Sequence, residues 1–372
     1  MKNIGGEMKK FLSAVLALIT LLSALAVPSF AEDGEPEEQT GTLSLLSYNV
    51  SGIPIFGDTQ GTQRELKGKD RMHKIGEILS NESGCDIVCV QEDFNLHGYL
   101  AESMEEAFPH QTFTSGGLPL GDGLNVFSAF PIYNVMRIPW LTVYGVLSGS
   151  ADRLAEKGIL TTVVELEEGV YIDLYVIHTD AGIDFASVNA RRDNFRQLKT
   201  LIQNRTEERA AIIIGDYNTK YIRNQSDDVY ANLIEPLGLT DVWAELYNNG
   251  DVTYEDGKDW DPSLPESIDK VMFLNGGGVE FSPENLEYIE FTNDKGETYT
   301  DHVSTKAVLN YKVTGPCPKP LTLELNLPID PNTLAKDTAK AVFKAIGLIF
   351  THLYELFYLI GQGFQLMFVK KL

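Results

Sequence analysis

Three isoleucines in a row, Ile212 to Ile214, run straight into Gly215-Asp216-Tyr217-Asn218. A run this apolar and β-branched suits a strand buried within a sheet rather than one with a wet face. Such a strand restricts the chain to layered folds in which other elements cover it. In extended chain, residues i and i+2 point the same way. Asp216 and Asn218 therefore share one face where the strand leaves the core. An Asp/Asn turn closing a strand accounts for that pair as readily as a binding site does.

The same arrangement recurs along the chain. An apolar strand opening at Leu43 carries Asn49. Val88-Cys89-Val90 ends on Gln91-Glu92. Tyr175-Val176-Ile177 ends on His178, with Asp180 two residues on. Asp269 opens the run to Leu274, and Asp301 and His302 open another. Six clusters limited to Asn, Glu, Asp and His are hard to explain by turn chemistry alone. Gathered at one edge they would bind a hard cation through oxygen and leave imidazoles to move protons.

Between these strands the periodicity changes. Residues 69–80 carry Met72, Ile75, Ile78 and Leu79 at helical spacing, and residues 190–205 form a basic amphipathic helix. Residues 123–132 and 157–178 look like antiparallel hairpins, the second turning at Glu167-Glu168-Gly169. Long antiparallel pairs mixed with crossing helices predict a four-layer α/β sandwich, two packed mixed sheets flanked by helices. Arg191 and Arg192 read as a solvated helix face, His97 and His110 as surface residues, and Trp260 as loop packing. Cys85 and Cys89 flank a strand-like segment, about 13 Å apart over four strand steps, too far for a disulfide.

The two ends differ from the middle. Lys9 and Lys10 precede an apolar run from Phe11 to Val27, and Ser29-Phe30-Ala31 is a small-x-small site, so residues 1–31 read as an export signal. An acidic linker (32–42), a catalytic domain (43–313) and a Pro-rich linker (314–333) follow. In residues 334–372, Asp337, Lys340, Lys344, Thr351, Glu355 and Gln362 fall on one narrow helical stripe amid apolar residues. As a helix, 341–369 would run about 43 Å. It would enter or lie on a membrane, dock on its own molecule, or self-associate. The expected location is outside the cell or at its surface. The formal net charge of −23 disfavours binding to a polyanion backbone, so nucleic acid is not the expected partner.

Taken in order, Ser47-Tyr48-Asn49-Val50, Gln91-Glu92, His178-Thr179-Asp180-Ala181, Gly215-Asp216-Tyr217-Asn218, Asp269-Lys270 and Asp301-His302 resemble the motifs of the endonuclease/exonuclease/phosphatase superfamily. These are the DNase I-like metal-dependent phosphodiesterases. Ala151–Gly158, with Lys157 before its glycine, is similar to the bacterial sphingomyelinase-C branch. The resemblance implies Glu92 as principal Mg²⁺ ligand, with Asn49 beside it and Asp301 as a further metal or water contact. It implies Asp216 positioning the water, Asn218 holding a phosphate oxygen, and His302 as general base oriented by Asp269. His178 would stabilise developing charge or help protonate the leaving oxygen, and Lys157 would touch substrate or be an ordinary turn lysine. The function implied is that of an exported phosphodiesterase acting on a phospholipid head group. An extracellular nuclease, a soluble phosphoester hydrolase and a catalytically inactive membrane-tethered module are the alternatives. Thr300, Lys270 and Asp180 depart from the family pattern, which bears on the substrate more than on hydrolysis.

Overall fold

Alternation along the first strand sorts its side chains between two cores. Leu43 and Leu45 belong to the larger cluster, shared with the second sheet, while Leu46, Tyr48 and Val50 belong to a smaller one with Met72, Ile75 and Leu79. A strand covered on both faces cannot show the apolar/polar alternation of a half-exposed one. The computed structural model describes residues 39–52, 61–94, 96–113, 121–145, 152, 155–205, 207–221, 229–252, 265–324 and 353. The expected export signal, nearly all of the expected C-terminal helix, and Trp260 fall outside these. Among the described residues, no helix is long and apolar enough to cross a membrane.

Among the described residues, twelve strands form two sheets. They are β1 (Thr40–Asn49), β2 (Ile87–Gln91), β3 (His110–Gln111), β4 (Asn125–Ser128), β5 (Ile132–Pro139), β6 (Gly158–Glu167), β7 (Val170–His178), β8 (Ala211–Asp216), β9 (Thr240–Asp241), β10 (Asp269–Leu274), β11 (Val279–Ile289) and β12 (Ser304–Val313). One sheet has the order β11-β12-β1-β2-β4-β3 and the other β5-β6-β7-β8-β10-β9. Among the described strands, only β1–β2 and β7–β8 pair in parallel. This is the expected sandwich of mixed, largely antiparallel sheets. Helices α1 (Gly68–Glu82) and α2 (His97–Met104) cover the first sheet, burying Met72, Ile75, Leu79, Leu100 and Met104. Helix α3 (Phe185–Gln203) adds Phe195, Leu198 and Ile202 to the larger core. A short α4 (Val242–Tyr247) packs against β10 and β11.

The expected hairpin at Glu167–Gly169 is present, with Gly169 at φ +82°. The one expected at residues 123–132 is not a hairpin. β4 pairs with β2 and β3, whereas β5 pairs with β6 in the other sheet. Residues 129–131 therefore carry the chain from sheet to sheet, with the Ala129 amide donating to Asp86 O and Pro131 O accepting from Glu165. Two apolar runs with a short break look alike whether the chain folds back or changes layer. All three cysteines are free, and Cys89 is buried as a small apolar residue. The Pro-rich segment starts beside Gly278, where the Thr314 amide donates to Gly278 O, and reaches β5 at Thr322 and Glu324, whose backbones bond to Asn134. That contact covers backbone on a sheet edge that would otherwise stand open.

At Gly215, φ is +145° and an added Cβ would lie 2.0 Å from Ile177 O. Strands β7 and β8 approach too closely there for any side chain. Gly215→Ala should therefore force the two strands apart at the end that carries His178 and Asp216. A loss of about 3 kcal/mol or more is expected in urea unfolding.

Candidate active site

Register alone assembles half the site. On the second sheet, His178 is the cross-strand neighbour of Asp216, and Asp216 that of Asp269. Adjacent strands are about 5 Å apart, so three polar side chains stand in a row at one sheet edge. On the first sheet, alternation puts Ser47 and Asn49 on the face that Leu43 and Leu45 turn inward. Asn49 therefore emerges between the sheets. Its amide donates to Glu92 Oε1 at 3.2 Å and to Asp216 Oδ2 at 3.3 Å. That bond joins the two rows.

Glu92 sits in a turn just past β2 at φ +56°, a conformation that a non-glycine residue adopts only when its surroundings hold it. Gly52 N donates to Glu92 O at 2.9 Å, and a Cβ on Gly52 would lie 2.5 Å from that oxygen. The next residue, Asp93, donates its N–H to Gly123 O. The turn is thus gripped from both sides.

The remaining residues of the motifs fall close by. His302 Nδ1 lies 3.0 Å from Asp269 Oδ2, and its Nε2 lies 3.9 Å from Asp216 Oδ2. His178 is buried, with Nε2 3.4 Å from Asp216 Oδ2 and no hydrogen-bond partner for Nδ1. Asn218 donates its N–H to Asp216 Oδ1 and its side-chain amide to Thr179 O. Asp301 is exposed and accepts from Ser51 Oγ at 2.6 Å, two residues beyond Asn49. Lys157 is buried, its Nζ 2.6 Å from Asp152 Oδ1 and 3.4 Å from Thr179 O. A cavity of about 620 Å³ opens beside this cluster, lined in part by Lys220, Glu266, Asp269, Tyr288, Asp301 and His302.

The electrostatics follow from crowding acids out of water. Burial raises the Glu92 carboxyl above its ordinary value against the pull of Lys157. Burial and the neighbouring Asp269 raise Asp216 to about 6. Burial also pulls His302 down, but Asp269, Asp216 and Asp301 outweigh it and hold the imidazole protonated to about 10. His178 moves the other way, well below its ordinary value, through burial and the positive charges of Lys157 and His302. Two histidines of one site are thus driven in opposite directions.

These donors fit a hard divalent cation. Glu92 Oε2 is buried without a hydrogen-bond partner, and Asp216, Asp269 and His302 offer donor atoms within 4.8 Å of one another. An orphaned buried carboxylate oxygen beside further carboxylates costs free energy unless something positive meets it. Carboxylate and carboxamide oxygens are the ligands that Mg²⁺ prefers.

Several supporting residues were not apparent as such in the sequence. Arg191, expected on a solvated face, is fully buried and donates to Asp180 O and Gly182 O, fixing the loop after His178. Its helical spacing with Val188, Phe195, Leu198 and Ile202 held the clue, masked by its charge. His97, expected at the surface, is buried with Nδ1 2.6 Å from Asp93 Oδ2 and Nε2 2.8 Å from Thr112 O. Trp140 Nε1 donates to His178 O at 2.7 Å. Nothing local in the sequence marks Trp140, because its partner is 38 residues away.

No family model matches the chain. In sequence it is 29% identical over 280 residues to sphingomyelinases of Mycobacterium bovis and Mycobacterium tuberculosis, an alignment covering 71% of this chain and 51% of each relative. The chain thus spans about half the length of these curated relatives. In structure it is similar to zebrafish TDP2 solved with a single-strand DNA product, with 16% identity and a TM-score of 0.51 over 72% of this chain and 99% of that one. An endonuclease/exonuclease/phosphatase protein from Beutenbergia cavernae gives 15% identity and a TM-score of 0.50 over 74% and 72%. The fold is thus the one that these endonuclease/exonuclease/phosphatase and TDP2 structures share. Its sequence similarity is to the mycobacterial sphingomyelinases.

The charge pattern yields a direct check. A carboxyl whose folded value is raised destabilises the fold above its unfolded value, here 4.5, and the penalty disappears below it. In metal-free protein Glu92→Gln should therefore raise Tm at pH 7, with the gain fading below about pH 4.5. Adding Mg²⁺ should raise the wild-type Tm and leave that of the variant nearly unmoved.

Proposed function

We propose that this protein is an exported Mg²⁺-dependent phosphodiesterase that hydrolyses a phospholipid head group, sphingomyelinase-like in its chemistry. The observation that carries this is the meeting of Glu92, Asn49, Asp216 and His178 with the His302–Asp269 pair at one sandwich edge. Glu92 and Asn49 would hold the cation, with Asp301 at its outer side. Mg²⁺ bound there would polarise a phosphoryl oxygen and offset the carboxylate field that otherwise keeps His302 protonated.

Each remaining residue has a definite task. Asp269 accepts the Nδ1 proton of His302, which leaves Nε2 to take a proton from water held by Asp216. The water oxygen attacks phosphorus as the bond to the leaving oxygen breaks, and the departing alkoxide takes up a proton from solvent. Asn218 directs an amide toward a phosphate oxygen. His178, kept neutral by burial, donates an N–H to the charge that develops without adding a full positive charge. Lys157 faces the same spot from the Asp152 side and would meet the substrate phosphate.

The lipid assignment rests on the sequence relation to sphingomyelinases and on the net charge of −23, which opposes a polynucleotide. The signal at residues 1–31 supports export, and the apolar segment 334–372 supports membrane association. Purified protein should release a phosphorylated head group from sphingomyelin or a related phospholipid with Mg²⁺ and lose this activity with chelator. Glu92→Ala and His302→Gln should each lower the rate by about 10³-fold or more. Cleavage of DNA or of soluble phosphoesters in preference to every lipid tested would overturn the lipid assignment. Inactivity toward all of them would overturn the enzyme.

A further inference from the structure

Two loops leave the sandwich at the edge that carries the site. One follows β5 and begins at Trp140; the other follows β7 and runs from Thr179 to α3. Among the described residues, three of the four most exposed large apolar side chains lie on them or at the first residue of α3: Leu141 at 86%, Phe185 at 82% and Ile183 at 70%. Tyr144 on the first loop is also exposed. Apolar side chains scattered singly over a surface need no explanation, but a cluster at the rim of a site does.

These loops have little freedom to fold their apolar tips inward. The Leu141 amide donates to Gln197 Oε1, and Gln197 Nε2 donates to Pro139 O. Asn194 donates to Thr142 O and accepts from the Asp180 amide. The Tyr144 amide donates to Asp180 Oδ2 at 2.6 Å. With Arg191 holding Asp180 O and Gly182 O, α3 ties both loops together from beneath. Backbone bonds are thus spent on holding apolar side chains out in water.

Charge selects the occupant. Residues 139–145 and 179–185 contain no Lys or Arg, and of their two acids Asp180 is buried while Asp184 caps α3. With a net charge of −23 on the chain, an anionic membrane would repel this surface. We infer that Leu141, Ile183 and Phe185, with Tyr144, form a docking rim that inserts into an electrically neutral, zwitterionic lipid surface. Insertion would bring the β7 end, and His178 with it, to head-group level. The contact rests on the reading that the substrate lies in a bilayer.

The test uses the full chain with phosphatidylcholine vesicles and reads backbone hydrogen exchange, which does not require turnover. Exchange in 139–145 and 179–188 should slow when vesicles are added and not when protein concentration is raised alone. The triple variant L141S/I183S/F185S should lose that protection and turn over vesicle lipid about tenfold or more slowly. It should keep the wild-type rate on a soluble chromogenic phosphodiester, which also reports that it folds. Unchanged exchange in these loops with vesicles bound, protection only with anionic lipid, or protection from self-association would each overturn the inference. Vesicle hydrolysis without loop protection would sink the rim while leaving the enzymatic reading intact. Loop protection without lipid hydrolysis would do the reverse.

Discussion

One side-chain amide links the two halves of this site. Asn49 ends the central strand of the first sheet and donates both to Glu92 and to Asp216, which ends a strand of the second. Neither sheet alone carries a complete set of groups. The first offers Glu92 and Asn49; the second offers His178, Asp216 and Asp269. Their separation is set by packed apolar layers, and packed interiors yield little to strain. A sandwich therefore serves as a rigid spacer that holds the two rows of polar groups at a fixed separation.

The site also shows how burial and charge divide labour among like residues. His178 is buried and His302 half-buried, both near Asp216. Only His302 has a carboxylate on its Nδ1, and its imidazole is raised; His178 has none, and burial with Lys157 nearby lowers it. Two imidazoles with opposite tendencies can serve as proton acceptor and neutral hydrogen-bond donor in one step. The acids are in excess, and their raised values indicate a site awaiting positive charge.

Beneath the motif residues lies a set of groups that act only by holding others. Arg191, Asn194 and Gln197 project from α3 to fix the two loops at the edge. Asp93 and His97 brace the turn after Glu92. Buried polar groups of this kind are satisfied by partners that the fold brings in from neighbouring loops and strands, so each is costly to remove and hard to foresee.

The sequence by itself determined the sandwich, the strand ends and the chemistry of their residues. Apolar runs closing on Asn49, Glu92, His178 and Asp216 reflect local periodicity, and periodicity is written residue by residue. Helix α1 and the hairpin at Gly169 were legible for the same reason. Tertiary structure alone decided which layer each segment joined. The break at residues 129–131 changes sheets where a hairpin was expected, because pairing partners lie far along the chain. It also decided that Arg191 and His97 lie inside: a charge signals solvent locally, but partners brought by the fold satisfy it in the interior.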